Sequence, residues 1–247
     1  MDKRYDDYTG VGLKTRVYSQ RSLHGQVVHE LGRRIVSGEI AEGAVLPNES
    51  ELGDEFEVSR TALREGVKVL AAKGLLSSRT RTGTRVRPRQ DWSMLDPDVL
   101  AWRLASGERM RFLRDLSEFR MGVEPVAAGL AAARASAADI QELSKAYAAM
   151  CQAGAAPEEG LGPDIDFHLA LLRASGNDLM SPVAALIETT LAALVECVGP
   201  DVMEKSLPYH EAVLAGVADR DPRKARAAMW DLLEYSIDLD GACLSTV

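Results

Sequence analysis

The stretch Leu46–Arg87 decides the fold of the N-terminal third of this 247-residue chain. Its parts, in chain order, are Leu46-Pro47-Asn48-Glu49-Ser50-Glu51-Leu52, Val58-Ser59-Arg60-Thr61-Ala62-Leu63-Arg64-Glu65, Gly74-Leu75-Leu76 and Arg81-Thr82-Gly83-Thr84-Arg85-Val86. Asn48 can cap a helix with Glu51 as its capping-box partner, and Ser59 can cap the next helix. Two short alternating segments flank Gly83 and predict a hairpin. Because a periodic apolar helix precedes this stretch, the pattern predicts a winged helix-turn-helix.

A strip of positive charge covers the second half of this unit. Between Ser59 and Arg89, nine Lys and Arg side chains stand against one acid, Glu65, which gives a local net charge of +8 in a chain whose total is −8. Residues 1–90 carry a net charge of +4, and residues 91–247 carry −12. A clustered basic strip is the electrostatic footprint of a protein that contacts phosphates. Only the N-terminal part is therefore expected to bind nucleic acid.

The second helix of a helix-turn-helix enters the major groove with its N-terminal turns. Those turns contain the predicted DNA-binding residues Ser59, Arg60, Thr61 and Arg64, and the wing adds Arg81 and Gly83. An Arg here can grip the O6 and N7 atoms of guanine with two parallel hydrogen bonds, whereas Ser and Thr suit phosphates or base edges. The alternative is a solvated basic helix face. For Lys68, Lys73 and Arg87, a phosphate contact and simple solvation are equally good interpretations.

Composition and breaks divide the chain into five segments. We expect a flexible tail at 1–20, the DNA-binding domain at 21–88, a linker at 89–95, an all-helical ligand-binding and dimerisation domain at 96–240, and a tail at 241–247. The last domain has seven predicted helices and no strand signal, which is typical of an all-α bundle. These helices lie near 96–106, 109–135, 137–153, 158–175, 178–199, 202–218 and 221–240.

Several classes of protein are disfavoured by what the sequence lacks. The N-terminus has no apolar core of a signal peptide, and no apolar run approaches membrane-spanning length. Cys151, Cys197 and Cys243 are far apart and have no metal-knuckle spacing. The sequence therefore predicts a cytoplasmic protein with reduced thiols and no membrane partner.

The helical domain contains side chains that can bind a ligand. Asp164 and His168 are four residues apart, so they share one helix face and can hold a divalent metal such as zinc, with His210 from a later helix. The alternative is a simple surface pair, or a carboxylate at a helix N-terminus with a core histidine. Arg120 lies in an apolar helix, where it is either the ion-pair partner of Glu124 or a clamp for an anionic effector. Ser206, four residues before His210, is a further candidate effector contact.

Two sets of motifs resemble a known family. The quoted stretch, with Leu70-x-x-x-Gly74-Leu75 and Gly83-Thr84, resembles the GntR family of bacterial transcription regulators over residues 23–88. The second half resembles the FadR-type effector domain, through Phe119-Arg120-x-x-x-Glu124-Pro125-x-Ala127-Ala128, Asp164-x-x-Phe167-His168 and Ser175-Gly176-Asn177. The segment Trp92-x-x-Leu95-Asp96-x-Asp98-Val99-Leu100-x-Trp102 is similar to the interdomain segment of regulators of galactonate and related sugar-acid catabolism.

The resemblance implies a homodimeric regulator that leaves a double-stranded DNA operator when a small carboxylate metabolite binds. It also implies that Arg120, Asp164, His168 and His210 lie near the effector. FadR-type domains that hold a metal have another His 22 residues after the one matched by His210, and this chain has Leu232 there. The departure predicts a weaker metal site with three protein ligands. Two other functions compete: a metal-dependent enzyme acting on a small organic acid, and an architectural DNA protein with an inert helical body.

Overall fold

The computed structural model describes residues 22–79, 83–154, 157–195 and 202–244 of the protein. These residues form two compact units, one within Lys14–Arg109 and the other within Met110–Val247. We call the first the head and the second the helical body. Among the described residues, no helix is both long and apolar enough to cross a membrane.

The head is a winged helix. Its elements are α1 (Leu23–Val36), α2 (Glu49–Glu55), α3 (Arg60–Ala72), β1 (Leu76–Arg79), β2 (Gly83–Val86) and α4 (Pro97–Leu104). The strands pair antiparallel, with Leu76 opposite Val86 and Arg79 opposite Gly83. The amide of Leu46 donates to the carbonyl of Thr84 at 2.8 Å, so the segment before α2 extends this small sheet. The predicted helix-turn-helix with a hairpin wing is confirmed.

Side-chain caps fix the start of each helix in the DNA-reading motif. The side chain of Asn48 accepts hydrogen bonds from the backbone amides of residues 50 and 51, and Glu51 accepts from the amide of Asn48. The hydroxyl of Ser59 accepts from the amide of Ala62 at 3.2 Å. Both caps satisfy backbone donors that a helix leaves free at its first turn. The predicted capping box and the predicted cap of α3 are therefore both present.

Helix α4 belongs to the head, although the sequence favoured placing it in the helical domain. The ring of Trp102 fills the space above Gly32 of α1, where an added Cβ would lie 2.3 Å from the ring atom Cη2. Trp92, in the expected linker, is also buried and donates from its indole nitrogen to the carbonyl of Arg87. A buried tryptophan removes a large apolar area from water and so stabilises the unit against which it packs. Residues 89–95 are therefore packed against the head rather than forming a free linker.

A buried ion cluster fastens the start of α4 to the end of α3. Lys73, which is 5% exposed, places its Nζ 2.7 Å from Asp96 and 2.8 Å from Asp98. Asp96 also caps α4 by accepting from the amides of Asp98 and Val99. The expectation that Lys73 contacts phosphate, or is solvated, is wrong, because two carboxylates enclose its ammonium group.

The helical body consists of helices within the residues described. They are α5 (Arg109–Arg134), α6 (Ala137–Ala153), α7 (Pro157–Ala174), α8 (Ala184–Val195), α9 (Val202–Ala218) and α10 (Pro222–Leu244). The predicted helix at 178–199 is instead a 3-10 turn over Asp178–Val183 followed by α8. With α4 in the head, six of the seven predicted helices lie in this unit. Its core is built from small and medium apolar side chains of α5, α6, α7, α9 and α10.

Candidate functional site

The first turns of α3 form the exposed surface expected to read DNA. Arg60 and Thr61 are exposed, and Arg64 keeps 67% of its side chain in solvent. The Nε atom of Arg64 lies 3.1 Å from a carboxylate oxygen of Glu49 on α2. Exposed pairs of this kind contribute little to stability, so a base edge can compete for the guanidinium. Ser59 is also exposed, but its hydroxyl already serves as the helix cap.

The wing places Gly83 at the first position of β2. Its φ of +78° is in the left-handed region, and an added Cβ would lie 3.3 Å from a methyl carbon of Val45. Glycine is therefore favoured by the backbone conformation, and a larger residue would also have to displace the Val45 side chain slightly. Arg81, the other wing residue predicted to contact DNA, lies outside the described residues. Arg85 donates from its guanidinium to the carbonyl of Gly43 and so helps to hold the sheet extension.

A different cluster lies buried in the helical body. Helix α7 presents Asp164 and His168 one turn apart, and α9 contributes His210. One ligand atom from each of the three lies within 4.8 Å of the others. The carboxylate Oδ1 of Asp164 is 2.9 Å from Nε2 of His210 and 3.6 Å from Nε2 of His168. The three predicted metal ligands thus converge, and all three are buried.

Hydrogen bonds behind the two histidines decide which ring nitrogens face the cluster. The Nδ1 of His210 donates to the carbonyl of Ser206 at 3.0 Å, because a carbonyl can only accept. The Nδ1 of His168 donates to the carboxylate of Glu124 at 2.5 Å. In its neutral form, each ring therefore presents an Nε2 lone pair to Asp164. These supporting acceptors are the arrangement that orients histidine ligands in metal sites.

The buried Nε2 of His210 tests whether a cation fits. It makes no hydrogen bond, although the Asp164 oxygen is only 2.9 Å away. Two acceptors repel at this distance unless a proton or a cation lies between them. Two imidazole nitrogens and one carboxylate oxygen are a donor set that suits zinc with one open position. The residues present therefore fit a divalent metal, which they would hold through Asp164, His168 and His210.

Position 232, where FadR-type domains that hold a metal have a further histidine ligand, is occupied here by an apolar side chain. Leu232 on α10 is buried in the core of the helical body and brings no donor atom. Ser206 is also buried, and its hydroxyl donates to the carbonyl of Met203 at 2.8 Å. Its carbonyl oxygen, rather than its hydroxyl, is what contacts the cluster, through His210.

Arg120 and Glu124 of α5 adjoin the cluster. The Nε of Arg120 donates to Oε1 of Glu124 at 2.5 Å, while Oε2 of Glu124 accepts from His168. Within the described residues, the bond to Glu124 is the one hydrogen bond that the Arg120 guanidinium makes. Its two Nη groups therefore remain for another acceptor. Arg120 is only 2% exposed, so an acceptor reaching it must enter the body. Both interpretations of Arg120, ion pair and anion clamp, are compatible with this geometry.

Burial and charge act in opposite directions on the two carboxyl groups. Burial raises the pKa of Glu124, but Arg120 and His168 outweigh it and hold that pKa well below its ordinary value. Burial likewise raises the pKa of Asp164, but the close contact with His210 and the charges of His168 and Arg120 outweigh it and bring that pKa below the usual range. Both groups are therefore carboxylates at neutral pH, which is the form that binds cations.

Comparisons with known proteins agree with the two units. Residues 23–86 match the family model "Bacterial regulatory proteins, gntR family", and residues 115–235 match the FCD domain. The galactonate operon transcriptional repressor of Escherichia coli K12 is 32% identical over 214 residues, covering 85% of this chain and 93% of that protein. The uncharacterised regulator YieP of the same organism is 31% identical over 217 residues, covering 87% and 94%.

Solved structures point the same way. A Streptococcus agalactiae GntR protein superposes with a TM-score of 0.50 at 28% identity, covering 86% of this chain and 97% of that one. These proteins are transcription regulators, so the hypothesis of a metal-dependent enzyme is rejected. A winged-helix head, a helical body with a buried ligand cluster and full-length relatives therefore lead to one conclusion: the chain belongs to the GntR family of DNA-binding transcription regulators, with an effector domain of the FadR type.

Proposed function

We propose that the protein is a repressor that binds its operator as a homodimer and leaves it when a small carboxylate metabolite binds in the helical body. The observation that carries this proposal is the convergence of Asp164, His168 and His210 beside the guanidinium of Arg120. A cation held by these three ligands would lie next to the arginine, and the two positive charges together would bind an anion such as a carboxylate. The name of the E. coli relative refers to galactonate, a sugar acid, which supports that class of effector.

In the head, we assign base reading to the exposed side chains Arg60, Thr61 and Arg64. Ser59 and the wing residues Arg81 and Gly83 would contact the backbone, where hydrogen bonds position a protein but carry no sequence information. One winged helix covers only a few base pairs. A two-fold dimer on a pseudo-palindromic site, with matching half-sites, is therefore the arrangement that we propose.

Arg60→Ala and Arg64→Ala should each weaken specific operator binding by about 1–3 kcal/mol, because each removes a bidentate contact to a base. Gel-shift titration against the operator found by footprinting measures the loss. Lys68→Ala is the matched control on the same helix: it should weaken binding less, and equally on operator and unrelated DNA. Unchanged operator affinity in both arginine variants would show that another surface reads the DNA. Protection of a single half-site would contradict the dimer.

In the helical body, we propose that the carboxylate of the metabolite docks on the Nη groups of Arg120. A divalent cation held by Asp164, His168 and His210 would supply a second positive charge to the same anion. Because Leu232 provides no fourth ligand, the cation should be exchangeable rather than structural. Binding regulates DNA affinity only if the effector has different affinities for the DNA-bound and free states.

Arg120→Ala should abolish effector-induced release while leaving operator affinity intact, and His168→Ala should do the same through loss of the cation. The measurement is operator binding with and without a panel of sugar acids and divalent metals. Arg173→Ala is the control on α7, since Arg173 is exposed and its ion pair with Glu142 lies at the surface. It should respond like the wild type. If both site variants are released as readily as the wild type, the effector binds elsewhere.

A further inference from the structure

Glu124 contacts both parts of the proposed effector site. Its side chain is 1% exposed, and its two oxygens have different partners. Oε1 accepts from the Nε of Arg120, and Oε2 accepts from the Nδ1 of His168, each at 2.5 Å. One carboxylate on α5 thus joins an arginine on the same helix to a histidine on α7.

Toward His168, this contact fixes both the position of the proton and the basicity of the ring. With its proton on Nδ1, the ring directs the Nε2 lone pair toward Asp164. A carboxylate behind the ring makes Nε2 a stronger donor to a cation. Toward Arg120, the same carboxylate holds the guanidinium plane at Nε and leaves the Nη groups for an anion.

We propose that Glu124 is a positioning residue that makes cation affinity and anion affinity depend on each other. The inference rests on the proposed function and adds the route of coupling. A cation on Nε2 polarises the ring and strengthens the bond from Nδ1 to Glu124. The carboxylate then has less negative charge to offer Arg120, so the guanidinium binds an external anion more tightly. Coupling between two sites is reciprocal, so an anion on Arg120 also favours the cation.

The test uses Zn²⁺ alone, titrated calorimetrically into the full-length, chelator-stripped protein. Glu124→Gln keeps the size of the side chain but loses its charge, and it should weaken Zn²⁺ binding by about 10- to 100-fold. Arg120→Met should tighten Zn²⁺ binding several-fold, since Glu124 then serves His168 alone. In the Glu124→Gln background the same Arg120→Met change should have a much smaller effect. Circular dichroism verifies that each variant is folded.

Nuclear magnetic resonance of the wild type provides a test that needs no variant to fold. The ring nitrogens of His168 should show a proton on Nδ1, and Zn²⁺ should shift the Nε–H signal of Arg120. The Nε–H signal of Arg33, which pairs with Glu30 and Glu39 in the head, is the control and should not move.

Three outcomes would overturn the coupling. The first is a Zn²⁺ affinity of Glu124→Gln equal to that of the wild type. The second is an equal effect of Arg120→Met on Zn²⁺ affinity in the wild-type and Glu124→Gln backgrounds. The third is an Nε–H signal of Arg120 that does not shift when Zn²⁺ is added. No Zn²⁺ binding by the wild type would overturn the coupling and the cation site together. Operator release by a metabolite, lost in Arg120→Ala, is measured separately, so repressor function can survive each of these failures.

Discussion

Lys73→Ala should lower the free energy of unfolding of the head by about 3–5 kcal/mol, because it leaves two carboxylates without their cation. Asp98 is 3% exposed and Asp96 is 22% exposed, so both carboxylates would lose their cation in a place that bulk water reaches poorly. Burial lowers the pKa of Lys73, but its hydrogen bonds to Asp96 and Asp98 outweigh this and raise it. The side chain therefore stays charged at neutral pH.

Denaturant unfolding of the full-length protein, followed by fluorescence of the buried Trp92 and Trp102, measures this loss. Lys68→Ala is the control on the same helix. Lys68 is 73% exposed and its partner Glu65 is 54% exposed, so its removal should change stability by less than about 0.5 kcal/mol. Equal stability of the two variants would mean that the ion cluster does not hold α4 on the head.

Gly74→Ala should destabilise the head by about 2–4 kcal/mol, for two additive reasons. The φ of Gly74 is +79°, which costs any residue with a Cβ about 1–2 kcal/mol. The added Cβ would also lie 2.3 Å from the carbonyl oxygen of Asp91, a backbone atom that cannot move aside alone. Relieving this contact requires the segment around Asp91 and Trp92 to shift.

Gly38→Ala separates the two reasons. Gly38 has a φ of +82°, but no atom lies within 4 Å of an added Cβ. It should therefore show only the conformational cost, about 1–2 kcal/mol. Thermal or denaturant unfolding of both variants gives the difference, which measures the clash with Asp91. If Gly38→Ala were as destabilising as Gly74→Ala, the close approach of the 91–92 segment would have no energetic weight.

Features encoded within a few residues of each other could be predicted from the sequence. The caps at Asn48 and Ser59 depend on partners two or three residues away, and the pairing of Asp164 with His168 follows from helical spacing. The hairpin required only Gly83 between two alternating segments. These contacts join residues that are close in sequence, so the spacing and type of the residues are enough to predict them.

Features that join distant parts of the chain could not be predicted in this way. Lys73 meets Asp96 across 23 positions, and Glu124 meets His168 across 44. Periodicity indicated that α4 is a helix, but an amphipathic helix does not specify which surface buries its apolar face. The basic strip alone predicts that Lys73 contacts phosphate or solvent, whereas in the folded head it pairs with Asp96 and Asp98. Glu124 was predicted only as a partner of its helical neighbour Arg120, since nothing in its sequence context points to α7.

Because α4 is attached to the head, the border between the DNA-binding unit and the effector-binding unit lies near residue 109 rather than near residue 88. A chimaera that joins residues 1–88 of this protein to the rest of a relative should be destabilised wherever the relative lacks Asp96, Asp98 or Trp102, because Lys73 would lose its carboxylates and Gly32 would lose the ring of Trp102. Cutting within 105–109 leaves those contacts with their native owners. These five residues are the stretch of backbone that connects α4 of the head to α5 of the helical body. Swaps made there should exchange operator choice and metabolite choice independently.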